Sequence, residues 1–288
     1  DHFAELHFRL GRGLLALGRK EEARVHLQLA RDRDALQFRA DAPINSAIRA
    51  VAAERQHRRV HLVDAETEIA NSPLAESGLP GTRLFLDHVH PRFDGDYVLA
   101  SLFYEHIASR ARFAPQRSSS TQPAVPSRDQ CAQALAFTGW DELQVDAAIA
   151  EMLARPPFLD QLNHAAELRR RVQDVKSREA HYNQQGLQKE LETYRAALAR
   201  APHDWELHHN FAMLLTTLGQ YEGAVPHFQM EANVFPDSAW CVFQLAEALV
   251  RAGRLTEAEQ HLRRTLQLEP QLKPAQRLLQ GIQKRVGK

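Results

Sequence analysis

The chain has 288 residues, of which 44% are hydrophobic, enough for one or two ordinary globular cores. Lys plus Arg and Asp plus Glu both number 36, so the formal charge is zero and bulk electrostatic binding of nucleic acid is excluded. Two cysteines, Cys131 and Cys241, make neither a metal-ligand spacing nor a disulfide framework, and no metal or cofactor is expected. No apolar run approaches the ~18 residues of a membrane span, and the compartment is left open. The chain starts at Asp1 already inside a helical pattern, so an upstream segment, with any targeting signal it carried, is expected to be missing.

In chain order, residues 1–35 read as an isolated helical hairpin. Gly11, Gly18, Ala23, Leu27 and Ala30 fit the template of a repeat that recurs at the far end of the chain. One such unit cannot bury its own apolar face, so it is expected to pack either on the neighbouring domain or on helices missing upstream. Over residues 36–112 the pattern changes. Ile44, Ala47, Ile48 and Val51 mark one helix face, with Asn45 and Arg49 on the same element. Val60-His61-Leu62-Val63-Asp64 is short, apolar and rich in β-branched residues, which predicts a buried strand. Residues 71–81 form a loop, and Leu84-Phe85-Leu86 delivers the chain to Asp87. After Gly95, the residues Leu99, Leu102, Phe103, His106 and Ile107 share a helix face. Helix, strand, loop and helix together read as the closing part of a layered α/β domain.

Residues 113–129, rich in Pro, Ser and Gln, are the linker. A helical connector follows over 130–186, broken near Thr138-Gly139-Trp140-Asp141 and again at Pro156-Pro157. Residues 187–288 repeat with a period of 34, the length of a tetratricopeptide unit. Ala212 matches Ala246, Gly219 matches Gly253, Ala224 matches Ala258, Phe228 matches Leu262, and Pro236 matches Pro270. Small residues let two helices approach closely, Gly ends the first helix and Pro stops the second. Residues 272–286 form a last amphipathic helix whose Lys, Arg and Gln suit a solenoid cap.

The residues that suggest chemistry are Asp87 and His90. Three positions apart on one loop, a carboxylate can hold one imidazole nitrogen while the other faces a nucleophile. Asp87 is then the orienting acid and His90 the general base. Other readings stay open: the two side chains cap the following helix, or His88 and His90 share a metal. Asn45 reads as a capping or packing residue, and Arg39 and Asp41 either pair or line the cleft. Ser118-Ser119-Ser120 lies in the linker and is a poor nucleophile, since a nucleophile needs a rigid turn.

Asp87-x-x-His90-Pro91, followed by Gly95 and Leu99-Ala100, resembles the last block of the SGNH (GDSL-like) hydrolases. The Ile44-Asn45 helix and the Val60–Asp64 segment are similar to what precedes that block. Arg39-Ala40-Asp41 and Pro156-Pro157-Phe158 resemble bacterial proteins that combine such a domain with tetratricopeptide repeats. The resemblance implies the C-terminal part of an α/β/α sandwich joined to an α-solenoid, in a mainly α chain. It implies ester hydrolysis or acyl transfer, with an acyl ester substrate for the intact protein and Asp87 and His90 as catalytic residues. The Gly-Asp-Ser nucleophile block and the oxyanion-hole Gly and Asn are absent, so the chain alone is expected to be inactive. The alternative is a non-catalytic scaffold whose repeat groove holds a protein or peptide partner.

Overall fold

The computed structural model describes residues 3–109 and 124–286. Its helices are α1 (Ala4–Ala16), α2 (Lys20–Asp32), α3 (Ala42–Glu54), α4 (Ala65–Asn71), α5 (Phe93–Ala108), α6 (Arg128–Ala134) and α7 (Gly139–Leu153). They continue as α8 (His164–Glu179), α9 (Gln184–Arg200), α10 (Trp205–Thr217), α11 (Tyr221–Val234), α12 (Ala239–Arg251), α13 (Leu255–Leu268) and α14 (Lys273–Val286). The chain divides into two compact units, Asp1–Cys131 with Asp146–Val172 and Ala132–Val145 with Gln173–Lys288.

The first unit opens on the α1–α2 pair. Ala23 is fully buried there, and a Cβ on Gly11 would stand 2.6 Å from Leu27 Cγ, so the two helices meet where Gly11 has no side chain. Helices α2, α3 and α4 are joined by charge. Arg31 bridges Glu66 at 2.6 Å, and Arg49 bridges Asp64 at 2.7 Å and Glu66 at 2.8 Å. Asp41 and Asp64 cap α3 and α4 by accepting the Ile44 and Thr67 amides, which satisfies donors that a helix start leaves unpaired.

The expected sandwich over 36–112 is not formed. Among the described residues there is no strand, only the isolated bridges Glu76↔Leu79 and Phe85↔Pro91. The predicted buried strand at Val60–Asp64 is irregular, and Val60 is 39% exposed. Its β-branched residues favour an extended backbone, but extension becomes a strand only where a second strand supplies the ladder. The apolar face of α3 is also only half covered among the described residues: Ile44, Ile48 and Val51 are 46–49% exposed, and only Ala52 of that helix is buried.

The second unit has the denser core. Helices α10 and α11 pack as a pair, α12 and α13 as the next, and α14 closes on α13. Phe211, Leu214, Phe228, Leu245, Leu249 and Leu262 fill the space between them, and Leu191 and Tyr194 of α9 join the same core. The period of 34 is explained position by position. Ala212, Ala224, Ala246 and Ala258 are fully buried where helices cross. Gly219 and Gly253 follow their helices at φ +70° and +80°, a left-handed conformation that a Cβ would penalise. Asp204 and Ser238, one period apart, cap α10 and α12 with their side-chain oxygens.

Candidate functional site

Asp87 and His90 lie on a closed loop of the first unit. Leu84 and Leu86 are buried on its near side, and Leu86 packs with Ile149 and Leu153. The Leu86 amide donates to the His90 carbonyl and the Arg92 amide to the Leu84 carbonyl, both at 2.8 Å, which pins the two ends together. Arg92 adds a second fastening: its Nε donates to the Thr82 carbonyl at 2.8 Å and its Nη2 to Asp146 Oδ1 at 2.9 Å. Arg171 donates to the Leu86 carbonyl. At Gly95, in the first turn of α5, the helix backbone presses against the Leu84 carbonyl with no room for a Cβ.

On this frame the Asp87 side chain is 3% exposed. Its Oδ1 accepts the Val89 and His90 amides at 2.9 and 2.8 Å, and its Oδ2 meets His90 Nδ1 at 2.7 Å. Burial pushes the Asp87 carboxyl up, but the His90 and Val89 amides and the His90 ring outweigh it, so it stays below the ordinary carboxylate range. The Asp87 carboxylate therefore orients the His90 ring, whose side chain is 51% exposed. An imidazole with one nitrogen held by a buried acid and the rest of the ring in solvent can accept a proton from an incoming hydroxyl.

The other residues singled out from the sequence go elsewhere. His88 lies tilted against Phe38 and stacked on Phe158, with ring centroids at 5.4 and 6.5 Å, and Gln161 sits 3.3 Å from its Nε2. Burial lowers its pKa. Among the described residues, no group of three or more His, Cys, Asp or Glu is placed to hold a metal. Asn45 belongs to the first turn of α3. Asp41 is committed to the Ile44 amide and to Gln37, at 2.9 and 3.0 Å, and Arg39 is exposed. Ser118, Ser119 and Ser120 lie outside the described residues, as does most of the linker.

The sequence reading missed two histidine pairs. His7 Nδ1 lies 2.9 Å from His26 Nδ1 on the α1–α2 hairpin, and His208 Nδ1 lies 2.7 Å from His227 Nδ1 on α10–α11. Both pairs are spaced 19 residues apart and occupy the same register of their hairpins. Burial and the neighbouring His208 push His227 down to about 4. The repeated spacing was the available signal.

No protein-family model matches the chain, and no curated protein matches it. Among solved structures, it is similar to MamA of MSR-1, with 16% identity over 56% of this chain and 88% of that one, at a TM-score of 0.36. MamA from Desulfovibrio magneticus RS-1 matches with 16% identity over 51% of this chain and 86% of that one, at a TM-score of 0.34. These likenesses are too distant to bear on function. The paired helices, the buried alanines and the left-handed glycines at a period of 34 make the second unit a tetratricopeptide-like helical repeat.

Proposed function

We propose that the chain is a scaffold that holds a protein partner on its helical-repeat unit. The observation that carries this is a pair of large apolar side chains left exposed on the first helices of consecutive repeats. Trp240 on α12 is 55% exposed and Met213 on α10 is 46% exposed. Gln244, buried one turn after Trp240, meets the Met213 sulfur at 3.9 Å, so the first helices of the two repeats touch there. Exposed Trp and Met are the side chains that anchor protein interfaces. The test is binding by the full chain and by the double variant Trp240→Ser, Met213→Ser. Saturable capture of a partner, lost at least about tenfold in the variant with unchanged thermal unfolding, supports the reading. Capture that ignores both substitutions refutes it.

A second reading rests on Asp87 and His90. A buried carboxylate aligned on an exposed imidazole is the acid–base half of a serine ester hydrolase, and acyl transfer from an ester is the chemistry it suits. Asp87 orients and His90 takes the proton from a hydroxyl nucleophile. The test is p-nitrophenyl acetate hydrolysis by the gene's full-length product. Turnover lost in both His90→Ala and Asp87→Asn supports the assignment, and the parent rate in His90→Ala defeats it.

A further inference from the structure

We propose that His208 and His227 form a chelating site for a divalent copper or nickel ion that clamps α10 to α11. The hydrogen bonds around the pair fix which nitrogen is available. His208 Nε2 lies 3.0 Å from the Pro202 carbonyl, which can only accept, so the His208 proton sits on Nε2. Its Nδ1 therefore presents a lone pair, aimed at His227 Nδ1 2.7 Å away. An imidazole held through its far N–H by a backbone carbonyl is the usual outer support of a metal-binding histidine.

The spacing suits a square arrangement of ligands better than a tetrahedral one. Two metal–nitrogen bonds of about 2.0 Å at a right angle place their nitrogens about 2.8 Å apart, whereas a tetrahedral angle opens them to about 3.3 Å. The 2.7 Å separation is that of the hydrogen bond now joining the rings, and it is close to the spacing of two neighbouring corners of a square, the arrangement that Cu2+ and Ni2+ take with nitrogen ligands. Each ring must turn so that the lone pairs converge, and rotation about the ring-bearing bond of histidine is soft. The His227 proton moves from Nδ1 to Nε2 as the metal enters, so no net deprotonation is needed. Water fills the remaining positions. Both histidines are only half-buried, which leaves a way in.

The other pair supplies the control. Arg33 donates to His7 Nε2, which puts the His7 proton on Nδ1, between the two rings. Freeing that nitrogen would break the Arg33 bond, and the guanidinium charge opposes a cation. One register, repeated in two hairpins, thus gives one site suited to a metal and one that is not.

The test is titration of the full chain with NiCl2 by calorimetry at neutral pH, alongside four variants. One saturable site is expected. It should weaken at least about tenfold in His208→Gln and in His227→Gln and stay unchanged in His7→Gln and His26→Gln. A second measurement needs no variant: substoichiometric Ni2+ should broaden the ring 15N signals of His208 and His227 before those of other histidines. Unchanged binding in both ligand variants, equal losses in the His7 variant, or broadening that begins at other histidines would overturn the proposal.

Discussion

Adding one methyl group at Gly95 gives a prediction whose sign separates two accounts of the Asp87 loop. Helix propensity alone favours Ala over Gly by up to about 1 kcal/mol. The structure predicts the reverse. A Cβ on Gly95 would stand 2.3 Å from the Leu84 carbonyl oxygen and 3.0 Å from Pro91 Cβ. Ordinary carbon–oxygen contacts begin near ~3.3 Å, so the loop must retreat by about 1 Å. That retreat overpacks the junction, at about 1–3 kcal/mol, and strains the Arg92–Leu84 hydrogen bond, at about 1 kcal/mol. Less the propensity gain, Gly95→Ala should lose about 1–3 kcal/mol. With an m-value of about 2 kcal/mol/M, the urea midpoint should fall by about 0.5–1.5 M. Gly13→Ala in α1 is the control: its Cβ would meet nothing within 4 Å, so it should gain about 0.5–1 kcal/mol. A Gly95→Ala variant as stable as the parent, or more so, would refute the close approach of α5 to the loop.

Three further outcomes follow from named contacts. Arg49 holds the Asp64 carboxyl at about 2, below its ordinary 3.8, so its stabilisation is full above about pH 4 and fades as pH falls through 2. The urea-midpoint gap between the parent and Asp64→Asn should therefore be constant above pH 4 and narrow towards pH 2; a gap that does not narrow contradicts the ion pair. Asp87→Ala should raise hydrogen exchange at the Val89 and His90 amides at least about tenfold, since both lose their acceptor, and unchanged exchange would remove Asp87 from the loop's support. Tyr194→Phe deletes the hydroxyl that donates to Asp141, and should cost about 1.5–2.5 kcal/mol by urea unfolding; an unchanged midpoint would mean the bond contributes nothing.

How far the sequence could be read depended on how local each signal was. The repeat was legible because Gly219, Gly253 and the four buried alanines meet demands set within one hairpin, and the sequence repeats them. The caps Asp204 and Ser238 were there to be seen but lie outside the apolar pattern. The strand reading of Val60–Asp64 failed because β-branched residues report a local preference, and a sheet is a long-range property. At the Asp87 loop, spacing alone suggested that a carboxylate and an imidazole could meet. It could not reveal Arg171, which donates to the Leu86 carbonyl, or Asp146, which anchors the neighbouring Arg92, because both lie far along the chain. The histidine pairs escaped because position 19 residues ahead belongs to no helical or strand period.

The half-covered face of α3 has a practical consequence for anyone handling the protein. Ile44, Ile48 and Val51 form a stripe in contact with water while the chain is fully folded. Excluded salts such as ammonium sulfate raise the cost of wetting such a stripe. The folded protein should thus bind phenyl resin and salt out early, behaviour easily mistaken for misfolding. A charge placed at Ile48, which is 48% exposed, would interrupt the stripe at its middle, so solubility can be improved there at less expense to the fold than at a buried position.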